Sequence, residues 1–385
     1  MRHILVVTYW PFSEGLIQAY TIPYLRIIRE VSGAKVTLLT LEKSTSPPQI
    51  VGDGIEHLPV HAEFFNMRMA FRWRDIIRKL VRFCREQNVT HLHSWCTPGG
   101  AMAWLIARKT QLPLIADSFE PHADAMVENG TWTSSSLKFR ILFYLEKKLA
   151  HSARYLISVS PYMKEYAERR YGLQGRKMFI KPACTDLDKF QPINNETTAT
   201  ITGIYAGKLG GIYYEDEVFT FLKACHEKWG DQFRFIFLGN YTADYIHTKC
   251  AAVNLPPELL TVKFVHHNEV PSIMASATFG FTPVKPVPTK KCCTPVKDGE
   301  YWACGLPVVI TPDISVDSEL IESGKCGIIL RGTDMTACRA AVDDLSDLLQ
   351  QDRTALKHRC RTLAVRHRNF IIAREIYTQI YNGEE

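Results

Sequence analysis

Residues 292–309 read CCTPVKDGEYWACGLPVV, and the way this stretch is parsed decides the fold. Thr294 and Pro295 are helix-start residues, Lys297 to Cys304 contain no breaker, and Gly305 suits a left-handed C-cap. Leu306 to Ile310 is then a short apolar, β-branched run. The spacing therefore predicts a loop, a helix and a strand, in that order. A helix N-terminus following a strand is a place to hold an anion, because its unpaired amides and its dipole point at the ligand. Thr294 and Lys297 suit a diphosphate there, and Glu300, about one turn further on, suits the diol of a ribose. An ordinary strand–helix crossover with a charged first turn explains the same spacing, so the neighbouring segments decide between the two.

Outward from this stretch, the chain alternates strand and helix signals. The first half gives strands at Ile4–Thr8, Val36–Thr40, Val89–His93, Leu112–Ala116, Tyr155–Val159 and Lys177–Lys181. The pattern restarts with Thr202–Ala206, Phe233–Gly239, Leu259–Val265, Thr278–Pro283, the run to Ile310 and Gly327–Leu330. Such alternation predicts two Rossmann-like units in tandem, with ligands held by the loops at the strand C-termini. Gly15, in the loop after the first strand, would let a phosphate or sugar approach the backbone. Gly207, Lys208 and Gly210, in the GKLGG loop that opens the second unit, offer exposed amides and a cation to a diphosphate. The polar segment Ile193–Thr200 marks the boundary, giving domains 1–192 and 193–365. A terminal helix, 366–385, is expected to pack back toward the first domain.

Asp117 to Trp132 (DSFEPHADAMVENGTW) carries Asp117, Glu120, His122, Asp124 and Glu128 within twelve positions. So polar and titratable a segment reads as a loop bearing catalytic groups. His122 and Glu120 are the first candidates to orient or deprotonate an acceptor hydroxyl, and Asp124 is the third. The base-contacting region is placed near Val265 and His266. The aspartates of TDLDKFQP (185–192) lead straight into the polar linker, so they are not read as a metal site, and no metal or other cofactor is expected.

Composition narrows the class. No apolar run approaches the roughly 18 residues of a membrane span, and Arg2 and His3 lead directly into strand, so no signal peptide is expected. Eleven cysteines without paired spacing argue for a reducing cytoplasm and against a disulfide framework or structural zinc. Residues 1–190 hold 26 Lys+Arg against 17 Asp+Glu, whereas 191–385 hold 20 against 23. The first half therefore suits the more acidic partner. Helix 64–87, with seven basic residues against two acidic ones and Trp73 among its apolar positions, is expected to meet an anionic membrane surface, with peripheral association at its inner face. No helix-turn-helix, zinc-finger or RNP signature supports nucleic acid as a partner.

Three segments resemble the GT-B glycosyltransferases of the retaining, glycogen-synthase-like group, family 4, of the bacterial polysaccharide and glycoconjugate type. TDLDKFQP resembles the family's D-x-x-x-F-x-P segment, and YAGKLGG (205–211) its glycine-rich second-domain loop. TPVKDGEYWACGLPVV resembles its donor-site motif. LIQAYTIPYLR and DSFEPHADAMVENG are weaker likenesses. The resemblance implies two Rossmann-like domains facing each other across a cleft. It also implies transfer of a sugar from a UDP- or GDP-linked donor to a glycan or lipid-linked acceptor, with retention and without metal. Glu300 would bind the ribose hydroxyls, Lys208 and Lys297 the diphosphate, and Gly15 would lie near the phosphates or the transferred sugar. Two positions depart from the family pattern. Cys292 stands where the family commonly has a first glutamate, and Tyr213 where it has a second diphosphate cation, which Lys297 is then expected to replace. An epimerase or hydrolase of the same fold, or a non-catalytic nucleotide-sugar-binding subunit, fits the same segments.

Overall fold

A computed structural model describes residues 2–62, 70–193 and 200–383. It divides into two compact units, Met1–Lys181 with Ile371–Glu385, and Pro182–Phe370. The division thus falls at Lys181–Pro182 rather than at 192–193. The physical reason lies in the segment that follows: Thr185 N–H donates to Arg368 O (2.7 Å), and Phe190 is buried in the second unit's core.

The first unit is built on a seven-stranded parallel sheet. Its strands are β1 (His3–Val7), β2 (Lys35–Glu42), β3 (Ile55–His61), β4 (His91–Trp95), β5 (Leu114–Asp117), β6 (Tyr155–Ser158) and β7 (Met178–Ile180), in the order β3-β2-β1-β4-β5-β6-β7. Helices cover both faces, so the central strands are apolar runs without alternation; all five residues of β1 are buried. β3 has no clear sequence signal, because Pro59 interrupts a run that also contains His57 and His61. It forms at the sheet edge, where a missing ladder donor is tolerated.

The second unit's sheet holds β8 (Ile201–Ala206), β9 (Phe233–Leu238), β10 (Leu260–Lys263), β11 (Phe279–Thr282), β12 (Val308–Ile310) and β13 (Gly327–Ile329). Their order is β10-β9-β8-β11-β12-β13, again parallel. One face is aromatic: Phe221 and Phe281 stack with centroids 4.6 Å apart, and Phe219, Phe235, Phe237 and Phe279 complete the layer. Tyr301 and Trp302 fill the other face. Gly280 makes room for this, since a Cβ there would lie 2.5 Å from the Tyr301 ring.

The last helix, Phe370–Asn382, spans the crossing back into the first unit. Tyr377 O–H donates to Asp117 Oδ2 (2.6 Å), Tyr381 Oη lies 2.7 Å from His93 Nδ1, and Arg374 forms a fork of two 2.7 Å bonds with Glu30. None of the eleven cysteines is in a disulfide.

Candidate active site

In an open parallel sheet the loops part where the strand order reverses, and ligands sit in the resulting crevice. In the second unit that point lies between β8 and β11. The loop after β8 carries Gly207, Lys208 and Gly210, and the loop after β11 leads to the helix Val296–Ala303. The two loops are joined by backbone: Tyr214 N–H donates to Pro283 O (2.8 Å), Lys285 N–H to Ile212 O (2.9 Å), and Tyr213 bridges Val284. The glycine loop is also held from below. Tyr241 O–H donates to Gly207 O and Tyr205 O–H to Lys208 O, each at 2.6 Å. Gly210 and Gly211 adopt φ of +80° and +62°, a region costly for other residues.

The helix Val296–Ala303 follows its N-cap Pro295 as the sequence predicts, and that residue makes no side-chain cap bond. Lys297 Nζ lies 2.9 Å from Glu300 Oε2, with Glu300 almost buried and Lys297 partly exposed. Gly305 takes φ +76° behind the helix. Thr294 Oγ1 is 3.3 Å from Ser315 Oγ. Cys292 is buried, and Lys291 pairs with Asp313 (3.0 Å). Lys290 belongs to a 3₁₀ turn, Pro288–Cys292, and is itself buried within electrostatic reach of Tyr213.

Val265 packs against the core, and His266 is exposed with its N–H on Glu269 Oε2 (3.0 Å). The residue that shares the field of the Lys297–Glu300 pair is the next one, His267. Burial, then Lys189, hold its imidazole below the usual range; Glu300 opposes this and Lys297 adds to it. Nothing in the local sequence distinguished His267 from His266.

Asp298 lies beneath this helix and was not among the sequence candidates. It and Asp317 are both fully buried. Thr282 O–H donates to Asp298 Oδ1, Arg368 donates to Asp317 Oδ1, and the two carboxyls meet each other. Asp298 Oδ2 and Asp317 Oδ2 face no other donor among the described residues, and a proton shared between them would satisfy both. Burial and the neighbouring Asp317 push Asp298 well above the carboxylate range, which favours its neutral form.

In the first unit the strand order reverses between β1 and β4. Residues 122–128, read from the sequence as loop, form a short helix, His122–Glu128. His122 Nδ1 lies 3.7 Å from Glu120 Oε1, and its ring meets the Tyr9 ring edge-on, centroids 6.0 Å apart. Asp124 is turned elsewhere: Arg170 grips it with bonds of 3.0 and 2.8 Å, and Tyr166 O–H donates to it as well. Asp117 is fully enclosed, accepting from His93 Nε2 (3.1 Å) and lying 3.0 Å from Lys181 Nζ. Burial acts to raise its pKa, but Lys181 and His93 outweigh it and hold it at about 2. Asp117 and Asp124 are thus committed to packing. Gly15 precedes a π-helical turn, Leu16–Thr21, with an ordinary φ of −55°, and a Cβ there would meet no atom within 4 Å.

Among the described residues no group of three or more His, Cys, Asp or Glu is placed to hold a metal ion. Asp186, of the TDLDKFQP segment, accepts from the N–H groups of Asp188 and Lys189 and caps a turn.

Two parallel sheets of reversed order, each opening glycine-containing loops at its switch point, define a GT-B architecture. Residues 29–183 match the model of the glycosyl transferase 4-like domain, and residues 202–348 that of glycosyl transferases group 1. The chain belongs to the family 4 type of GT-B glycosyltransferases. No curated protein matches it in sequence. Among solved structures, sucrose-phosphate synthase from Thermosynechococcus elongatus superposes with a TM-score of 0.77 at 15% identity, over 100% of this chain and 99% of that one. WaaG, a glycosyltransferase involved in lipopolysaccharide biosynthesis, gives 0.72 at 14%, over 99% and 100%. HepE from Anabaena in complex with UDP gives 0.70 at 12%, over 100% of both chains. At these identities the likeness is one of fold.

Proposed function

We propose that this glycosyltransferase takes its sugar from a UDP- or GDP-linked donor bound at the β8/β11 switch point. The acceptor would be a glycan or a lipid-linked molecule bound by the first unit. The observation that carries this reading is the Lys297–Glu300 pair on a helix start with Pro295 as its N-cap, together with a glycine loop held by Tyr205 and Tyr241. Cleaving a glycosyl–diphosphate bond leaves growing negative charge on the diphosphate, and fixed cations and amides stabilise it without reorganisation. Lys208, Lys297 and the first-turn amides serve that end, with Thr294, Gly207 and Gly210 lining the approach. A diphosphate would draw Lys297 away from Glu300 and leave the carboxylate for the ribose hydroxyls. The complexes of HepE with UDP and with UDP-glucose support a nucleotide-sugar donor.

His122 with Glu120 would orient the acceptor hydroxyl. Because the acceptor can attack from the face the diphosphate leaves, the reaction would retain anomeric configuration. No protein base or metal would then be obligatory, and the reading includes neither.

Purified protein incubated with a panel of UDP- and GDP-sugars tests this, with nucleoside diphosphate release and product analysis as readouts. Lys297→Ala is expected to lower kcat/KM by about 10²-fold, as loss of one donor to a developing anion does elsewhere. Activity within a few-fold of wild type would remove Lys297 from the mechanism. Sugar release or isomerisation without acceptor would instead favour a hydrolase or epimerase.

A further inference from the structure

The helices Ala70–Glu86, Cys96–Thr110 and Leu137–Ser152 pack side by side on one flank of the first unit. The outer surface of the last of them is unusual. Leu137, Ile141 and Tyr144 are 57%, 45% and 54% exposed. Their spacing of four and three residues puts them in one stripe along the helix. Lys138, Arg140, Lys147 and Lys148 are exposed around that stripe. The one acidic residue of the helix, Glu146, points the other way: it is fully buried, accepts from Ala123 N–H (2.7 Å) and Tyr171 O–H (3.1 Å), and burial drives it toward its neutral form. Apart from His151 and Ser152 in its last turn, the exposed residues of this helix are therefore apolar or positive.

The sequence assigned membrane contact to helix 64–87. Among residues 72–86 of that helix, Arg72, Arg74, Arg78 and Arg82 are exposed, but Trp73 is half-buried and no apolar side chain is exposed. Phe64, Phe65 and Arg68 lie outside the described residues. Helix Ala70–Glu86 supplies charge to the flank, whereas Leu137–Ser152 supplies charge together with apolar anchors.

We infer that the Leu137–Ile141–Tyr144 stripe lies on the surface of an anionic lipid bilayer. Three chemical features choose a bilayer over other occupants. Lysines ringing an apolar stripe extend their ammonium groups to anionic headgroups while their stems stay with the acyl boundary, which is the arrangement of an interfacial helix. A protein interface disfavours lysine, and it needs on the order of 800 Å² per partner, more than one three-residue stripe provides. A second copy of this chain would bring like charges together.

The contact also has a consequence for the acceptor residues. Through Leu142, Ala123 and the Glu146–Ala123 bond, the inner side of the same helix is locked to the short helix that begins with His122. A bilayer under the stripe would hold Glu120 and His122 at a fixed height above lipid headgroups, which selects a lipid-linked acceptor. That last step rests on the proposed sugar transfer; the lipid binding does not.

The test is co-sedimentation of the full chain with phosphatidylcholine vesicles, with and without about 30% phosphatidylglycerol. Binding is expected to the anionic vesicles only and to weaken as salt rises. The triple variant L137S/I141S/Y144S and, separately, K147E/K148E should each bind at least about tenfold more weakly. Both should keep the wild-type melting temperature and affinity for UDP or GDP, whichever the wild type binds. Failure of the wild type to sediment with anionic vesicles overturns the inference. So does wild-type binding by either variant, or a wild-type dimer that the triple variant abolishes. Donor turnover without vesicle binding would reject the surface alone, and vesicle binding without donor turnover would reject the sugar transfer alone.

Discussion

Arg368 and Asp317 form an ion pair in which neither side chain has any exposure, and Asp298 joins them through a carboxyl that burial and Asp317 drive toward its neutral form. The cluster ties the underside of the Lys297–Glu300 helix to Arg368, three residues before the chain returns to the first unit at Ile371. The two aspartates should therefore respond differently to amidation. Asp317→Asn removes the carboxylate paired with a buried guanidinium and should cost about 3–5 kcal/mol. Asp298→Asn keeps an acceptor for Thr282 and a donor for Asp317, and should cost about 1 kcal/mol or less. Urea denaturation of the two variants compares them directly; equal costs would show that the proton does not reside on Asp298. The pH dependence follows from the raised pKa. Protonated Asp298 contributes stability that is complete below the unfolded value of 3.8 and is lost as pH rises toward the folded value. Asp298→Asn should therefore gain on wild type as pH increases.

Asp117 carries the opposite sign. Its folded pKa of about 2 lies below the unfolded 3.8, so its ionised form stabilises the protein above pH 3.8 and that contribution disappears as pH falls toward 2. The difference corresponds to about 2–3 kcal/mol. Asp117→Asn should be clearly less stable than wild type at neutral pH, and the gap should narrow on acidification. A gap that is constant from pH 7 to about pH 3 would mean that His93 and Lys181 do not hold the carboxylate in its charged form.

What was legible in the sequence was what buried parallel strands and helix ends impose locally. β8, β9, β11 and the run through β12 announce themselves as short apolar segments punctuated by glycine, and Pro295 and Gly305 mark a helix that forms as read. β3 was hidden by Pro59, which an edge position tolerates. The helix Ala243–Ala252 was hidden by a polar composition with few apolar positions. Local chemistry misled where partners are distant. Asp117 and Asp124 look like catalytic carboxylates until Lys181 and Arg170 arrive. The Asp317–Arg368 pair joins residues 51 apart, and no spacing rule reaches that far.

Gly15 allows structure and ligand binding to be separated. Its φ is ordinary and its surroundings are open, so Gly15→Ala should leave the melting temperature unchanged or raise it slightly, by removing freedom from the unfolded chain. If donor phosphates or the transferred sugar approach the backbone here, the added methyl group will still impair turnover, by about tenfold or more in kcat/KM. An alanine variant with full stability and full activity would remove Gly15 from the site.

His267 offers a spectroscopic report on the donor pocket that does not depend on turnover. Burial, Lys189 and Lys297 hold its pKa below 6.5, against the pull of Glu300. A diphosphate bound between Lys208 and Lys297 brings negative charge into that field, and negative charge favours the imidazolium. NMR titration of the histidine ring protons, assigned through His267→Asn, should show a low pKa in the free protein that moves upward when UDP or GDP saturates the site. Lys297→Ala should raise it in the free protein, because a repelling cation is gone, and should diminish the further rise on nucleotide binding. A His267 resonance that titrates identically with and without saturating nucleotide would place the diphosphate away from the Lys297–Glu300 pair, and the assignment of that helix start to the donor would fall with it.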